Sequence, residues 1–436
     1  MRKTLLEKKA YVKRTLSLFI LIFCSITAVQ AQSKEITVMV SPDKADCLYT
    51  ENEPCTFTIR VFKAQNELKD VTVDYELGPI EYPAEKKTNQ PLKNGKLEVK
   101  GRMPVPGFLR CKVTAHVNGR DYSGLATVGY APEKIKPVTD MPKDFKTYWD
   151  STLEKARQTD LNPTMVLLPE RCTDKVNVYH ISFQNVRPGS RTYGILCIPK
   201  KEGKYPALLR VPGAGIRPYN GDVYTASHGA ITLEIGIHGI PVTMTQSFYN
   251  NLFNGALKNY WQINNTDRDA FYYNRVIAGC IRAVDFLCSL EQFDNKTLGV
   301  AGSSQGGALS VITAALDKRV TFYAPLMPGM CDHLAYLEKR AGGWPHYLSQ
   351  STEVKEAVKN VCKYYDVVNF AKFLTVPGWF SWGYNDETCP PTSMQAAYNT
   401  ITSPKELHIY PQDGHFWYDE QAEEWSNWIW KQLNIN

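Results

Sequence analysis

The chain has no Cys-x-x-Cys pair and no cysteine–histidine spacing of the zinc-holding kind, which excludes a zinc module. Neither G-x-x-x-x-G-K-[ST] nor G-x-G-x-x-G occurs, so the two common phosphate-cradling loops are absent. There is no internal repeat, and 28 Gly and 26 Pro in 436 residues are ordinary usage, which excludes collagen-like and low-complexity chains. Beyond residue 31 no apolar run approaches the roughly 20 residues of a membrane span. A surplus of one charge sign is missing too. The net charge of +6 resides at the start, where Arg2, Lys3, Lys8, Lys9, Lys13 and Arg14 face Glu7 alone, and the rest is close to neutral. A neutral body gives no electrostatic ground for a nucleic-acid partner. What the chain does hold is 25 Tyr, 17 Phe and 9 Trp, far too much apolar surface for a disordered polypeptide.

Residues 1–31 read as an export signal. A basic stretch ends at Lys13-Arg14, the apolar run Leu16 to Val29 follows, and Val29-Gln30-Ala31 offers small residues for cleavage before Gln32. The run is too short for an anchor, and Leu21-Ile22-Phe23 before Cys24 lacks the small residues of a lipoprotein site. The expectation is a periplasmic or extracellular protein with no membrane contact in its mature form. Of the 11 cysteines, Cys24 lies in this segment and the others are scattered. Cys280 and Cys288, on one helix, stand roughly 12 Å apart, too far to bridge. Cys47 and Cys55 are placed to pair across a hairpin, and the remainder read as small core residues.

From Ile36 to Tyr130 short alternating runs predict about seven half-buried strands, among them Ile36 to Val40, Thr56 to Val61, Val71 to Tyr75, Cys111 to Val117 and Leu125 to Val128. Asn94-Gly95 and Asn118-Gly119 read as hairpin turns. That spacing predicts a small all-β, immunoglobulin-like sandwich over residues 32–130. Residues 131–141, with prolines at 132 and 137 and lysines at 134 and 136, read as a linker. From residue 142 to 436 strands alternate with helices: Ala207 to Val211, Ala230 to Ile235, Leu298 to Ala301 and Gly378 to Trp382 are buried-strand patterns. Val276, Ile277, Cys280, Ile281, Val284 and Leu287 share one helix face. Such alternation implies an α/β domain built on a doubly wound, mostly parallel sheet.

Gly302-Ser303-Ser304-Gln305-Gly306 is a G-x-S-x-G between the strand Leu298 to Ala301 and the helical run Gly307 to Leu316. A strand-to-helix elbow of this kind presents a serine hydroxyl above the sheet edge, so Ser304 is the candidate nucleophile of an α/β-hydrolase. A serine needs a base, and in this fold the order is Ser, then Asp or Glu, then His. Of the eight histidines, His116 is in the β domain, His180 and His408 sit in strand patterns, and His228 and His238 precede the elbow. His333 and His346 fall before the next core strand, which leaves His415 in the loop after Leu407 to Tyr410. Asp386, just after Gly378 to Trp382, is the candidate acid that orients and stabilises the imidazole. Glu387 and, more weakly, Asp413 compete for that role. For the oxyanion hole, the backbone N–H of Gln305 and that of Ala214, in Val211-Pro212-Gly213-Ala214-Gly215, are the candidate donors. Tyr249, Phe253, Tyr260 and Trp261 form an aromatic-rich insert that either packs as an ordinary exposed insert or lines a substrate cleft with flat apolar rings, Tyr260 and Trp261 being the candidates for that contact.

Phe271-Tyr272-Tyr273, Gly302 to Gly307, Leu316-Asp317-Lys318-Arg319-Val320, Tyr364 to Phe370, Cys389-Pro390-Pro391-Thr392-Ser393 and Ala397-Tyr398-Asn399 together resemble the acetyl xylan esterase / cephalosporin C deacetylase family. The similarity runs over roughly residues 142 to 430, from Pro142-Lys143-Asp144-Phe145 onward. It implies Ser304, Asp386 and His415 as a triad, Gln305 as an oxyanion donor, and an acetylated polysaccharide or oligosaccharide as substrate. It requires no metal or organic cofactor and leaves a homo-oligomer open. Three positions depart from the family pattern. Pro212-Gly213-Ala214 stands for His-Gly-Tyr, Ile237-His238-Gly239 lacks the Arg-Gly-Gln motif, and Phe416 replaces the Glu after the base. A serine peptidase or amidase of the same fold, and a non-catalytic carbohydrate-binding protein, are the competing readings.

Overall fold

The computed structural model describes residues 35–349 and 356–435, so the export signal expected over residues 1–31 lies outside the described residues. The amino-terminal region forms two sheets. In one, Cys55–Lys63 pairs with Ile36–Pro42, Asn66–Glu67 and Lys96–Gly101, all antiparallel. In the other the order is Leu48–Tyr49, Arg120–Tyr130, Gly107–Val117, Thr72–Pro79, Glu85–Pro91. Strict alternation decides which side chains meet between them: Phe57, Ile59 and Val61 from the first sheet, Val73, Val113 and Ala115 from the second, all fully buried.

Nine strands replace the seven expected, the extra ones being short or highly charged runs that no apolar alternation marks. Asn118-Gly119 closes a hairpin at the Val117–Arg120 pair, both residues at positive φ. Asn94-Gly95 makes the same tight turn, but the chain it joins leaves one sheet for the other, so no hairpin ladder follows. Cys47 and Cys55 do not pair: every cysteine among the described residues is free. Cys47 precedes the strand Leu48–Tyr49 of one sheet and Cys55 opens Cys55–Lys63 of the other, so no hairpin brings them together.

Residues 131–141 are not a loose linker. Val138 and Thr139 donate their N–H groups to Asp332 Oδ1, each at 2.8 Å, and Thr139 Oγ1 donates to Asp366 Oδ2 at 2.9 Å. Asn399 Nδ2 donates to the carbonyls of Pro132 and Ile135, both at 2.9 Å. Proline-rich extended backbone has amides and carbonyls free for such contacts, and the second domain supplies the partners.

That domain is built on nine strands in the spatial order Thr164–Leu167, Val176–Gln184, Arg191–Pro199, Ile231–Gly236, Tyr205–Arg210, Phe293–Ser303, Phe322–Leu326, Gly378–Trp382, Lys405–Ile409. The first three pairings are antiparallel and the remaining five parallel. The central strands are apolar on both faces, as parallel strands covered by helices must be; Leu298, Val300, Ala324 and Trp382 are wholly buried. Phe145–Arg157, Tyr272–Ser289 and Gln305–Leu316 pack side by side, while Asp419–Leu433 lies along Phe293–Ser303 and its neighbours. Trp149 anchors the first helix, fully buried with its indole N–H on Tyr364 O at 3.0 Å. This is the doubly wound α/β-hydrolase layering, preceded by a small β domain. No helix among the described residues is long and apolar enough to cross a membrane.

Asp332 also pairs with Arg340 at 2.6 Å, and it is completely buried. Replacing it with alanine strands the guanidinium and two amides, so Asp332→Ala should lower stability by about 3 kcal/mol. A drop in the urea midpoint at unchanged slope would register that loss.

Candidate active site

The strand Phe293–Ser303 and the helix Gln305–Leu316 are separated by one residue, Ser304, at φ 60 and ψ −121. A non-glycine residue rarely adopts that backbone, and here its neighbours enforce it. Ser304 N–H donates to Leu326 O at 2.9 Å, and its carbonyl accepts from Gly329 N at 2.9 Å and Ala308 N at 3.1 Å. Gly302 and Gly306 lie against the Val211 carbonyl, where a Cβ would sit at 2.5 Å and 2.3 Å. The elbow therefore needs glycine on both sides.

His415 Nε2 lies 2.9 Å from Ser304 Oγ, and His415 Nδ1 lies 2.7 Å from Asp386 Oδ2. A carboxylate only accepts, so Nδ1 carries the proton and Nε2 is left to accept from the serine hydroxyl. Asp386 is wholly buried, and its other oxygen accepts from the amides of Thr388 and Cys389, each at 2.8 Å. The rivals point elsewhere. Glu387 is half-exposed and pairs with Lys112 at 2.9 Å. Asp413 contributes its backbone, whose carbonyl accepts from Asn385 N at 2.9 Å and joins the acid loop to the histidine loop. Gly383 allows that junction, since a Cβ there would stand 2.1 Å from the Asp413 carbonyl. Asp386, Cys389 and His415 bring ligand-type atoms within 4.8 Å of one another, yet two of the three are already bonded to each other.

Gln305 begins the helix, so its N–H is one of the unpaired amides of a helix start, beside the serine. Its side chain, fully buried, accepts from Tyr260 OH at 2.6 Å and Tyr273 OH at 2.7 Å and donates to Pro212 O at 3.1 Å. The loop holding Ala214 is thereby tied to the elbow. Gly215 N donates to Tyr260 OH at 3.4 Å, and Gly215 O bonds His238 Nε2 at 2.9 Å. Burial lowers His238 to about 4, so it is neutral: Nε2–H donates to Gly215 and Nδ1 accepts from Tyr272 OH at 2.7 Å. Ala214 itself is half-buried, its carbonyl accepting from Arg217 at 3.0 Å.

Tyr260 is consequently not a sugar-stacking surface. It is wholly buried, because its hydroxyl must reach both Gln305 and Gly215. Tyr249 is buried as well, donating to Pro241 O at 2.6 Å. Trp261 is half-buried and packs its ring 5.6 Å from that of Trp344. Trp344 in turn lies beside Gly329, whose N–H bonds the Ser304 carbonyl, so the indole pair flanks the serine turn. Sequence reasoning missed Trp344, Tyr273 and His238. Tyr273 carried a signal in the Phe271-Tyr272-Tyr273 motif, and His238 stands where the Arg-Gly-Gln motif is lacking.

Fold and site define an α/β-hydrolase, and within that class a carboxylic ester hydrolase. The chain belongs to the acetyl xylan esterase (AXE1) family, which matches residues 132–432, and it is an acetyl esterase on that membership. The acetyl esterase Axe7A of Xylanibacter ruminicola is 38% identical over 403 residues, spanning 90% of each chain. An acetyl xylan esterase from Paenibacillus sp. R4 superposes with TM-score 0.60 at 28% identity, covering 68% of this chain and 97% of its own. Acetyl xylan esterase 1 from a Thermoanaerobacterium species, 23% identical, shares the fold with TM-score 0.58 over 69% of this chain and 97% of its own.

Burial raises the Asp413 carboxyl from 3.8 to about 6. A carboxyl whose native value is raised favours the folded state while protonated and loses that advantage as pH rises toward 6. Asp413→Asn should therefore gain thermal stability over wild type progressively from pH 4 to pH 6 and hold the gain above. A melting series across that range would show a constant difference if the carboxyl were not buried in this way.

Proposed function

We propose that the protein removes acetyl groups from acetylated xylan or xylo-oligosaccharides by a Ser304–His415–Asp386 mechanism. The observation that carries the reading is the unbroken hydrogen-bonded line from Ser304 Oγ through the imidazole to a buried carboxylate. His415 takes the Ser304 proton as Oγ attacks the acetyl carbonyl, and Asp386 stabilises the imidazolium. The N–H groups of Gln305 and Ala214 face the developing oxyanion. The tetrahedral species collapses to acetyl-Ser304 and expels a sugar alkoxide, which takes the proton from His415. Water, activated by the same imidazole, then releases acetate and restores the serine. The Trp261–Trp344 pair offers flat apolar faces to the pyranose carrying the ester. A polymeric glycan substrate agrees with the export expected from residues 1–31, which would place the enzyme in the periplasm or outside the cell.

Acetate release from acetylated xylan and from an aryl acetate tests the proposal. Wild type should release it from both, and Ser304→Ala should lose at least about 10³-fold in kcat on each. Turnover of the aryl ester alone would keep the triad and point to another acetylated glycan, while Ser304→Ala at wild-type rate would end the proposal. Trp261→Ala should raise KM for acetylated xylo-oligosaccharides several-fold and leave the aryl acetate unaffected. An unchanged KM for both would make Trp261 a packing residue only.

A further inference from the structure

We infer that the amino-terminal β domain is part of the catalytic apparatus, with Arg110 the positioning residue that fixes the loop carrying Asp386. The inference rests on the triad reading above and lies outside the family match, which begins at residue 132.

Arg110 stands on the strand Gly107–Val117 of the β domain and is 8% exposed. A guanidinium taken out of water needs strong acceptors, and its choice of them is informative. Arg110 Nε donates to Thr127 Oγ1 at 2.8 Å within its own domain. Nη2 crosses to the other domain and donates to the carbonyls of Tyr384 at 3.0 Å and Asp386 at 3.1 Å. Its nearest carboxylate oxygen, on the half-exposed Glu387, is 4.0 Å away. The buried charge thus makes its cross-domain hydrogen bonds to the backbone of the acid loop, with Glu387 only at the outer limit of an ion pair.

The two carbonyls flank Asn385, whose own N–H is held from the opposite side by Asp413 O at 2.9 Å. Arg110 and the histidine loop therefore grip the acid loop between them. The Phe108 ring packs edge-on against Tyr384 at 5.0 Å and fixes the residue on which Arg110 closes. The exposed Lys112–Glu387 pair adds little. Asp386 reaches His415 over 2.7 Å, a distance that tolerates no ångström-scale drift of its backbone. A mere docking contact would need only to hold two domains together. This one holds the two peptide groups on which the carboxylate geometry depends.

The test is a double-mutant cycle in the full chain with an aryl acetate, too small to touch the β domain. Arg110→Met keeps the bulk and removes the donors. It should fold with a somewhat lower melting temperature, because it leaves two carbonyls unpaired, and lose roughly 10-fold or more in kcat at unchanged KM, with Arg110→Lys recovering part of the loss. In an Asp386→Asn background Arg110→Met should cost less than about 2-fold further, because the geometry it protects is already useless. Thr127→Val, which frees the guanidinium to swing, should repeat the pattern at a few-fold amplitude and serves if Arg110→Met does not fold. Wild-type kcat in Arg110→Met, or the same loss in both backgrounds, would overturn the inference and leave the triad standing. Wild-type turnover by Asp386→Asn would instead overturn the triad and the inference with it.

Discussion

A single residue in the left-handed half of backbone space governs this molecule. Ser304 joins a buried strand to a buried helix with no intervening loop, and that junction exists only if φ is positive. Such a residue costs on the order of 1–3 kcal/mol, which the flanking elements must over-determine. They do so through the Leu326 and Gly329 hydrogen bonds and through two glycines that let the chain lie on the Val211 carbonyl. In return the hydroxyl stands clear of the sheet and Gln305 N–H opens a helix beside it. The candidate nucleophile and the candidate oxyanion donor are set by one backbone choice.

The second layer of organisation is a hydrogen-bonded network of neutral side chains, with the Arg275 guanidinium donating to Tyr272 OH at 3.2 Å at its edge. Tyr260, Tyr273, Gln305, His238 and Tyr272 bind the loop Val211 to Gly215 to the elbow, and burial keeps His238 neutral so that every proton in the network has one direction. A buried network of this kind is rigid when fully satisfied. The departures at Pro212 and Ile237-His238-Gly239 fall on this network, in which Pro212 O and His238 tie the loop to its surroundings.

How much of this the sequence disclosed follows from the range of each interaction. The elbow was legible because strand, serine and helix are contiguous, and His415 because chain order left one histidine in the right place. Asp386 could be ranked above Glu387 by position, but only three-dimensional packing turns Glu387 toward Lys112. The stretch at 131–141 reads as a linker because composition reports the lack of regular structure and is silent on Asp332 and Asp366, some 190 to 230 positions away. Tyr260 reads in the sequence as a substrate-binding candidate because an aromatic cluster in an insert has no mark separating a buried hydroxyl from an exposed face. Arg110 was invisible for the same reason: on an alternating strand a lone arginine reads as solvated, and its acceptors are backbone atoms.

The anchoring of residues 131–141 also changes how the domains meet. With Pro132, Ile135, Val138 and Thr139 bonded to the hydrolase core, the β domain hangs from a support fixed almost up to its last strand. Its docking is then an intramolecular event at very high effective concentration. A modest interface can stay closed under those conditions without the large apolar area that two free proteins would need. This leaves the contact between the domains room for a buried guanidinium beside the Phe108–Tyr384 rings, where an independent partner would need more apolar area in its place.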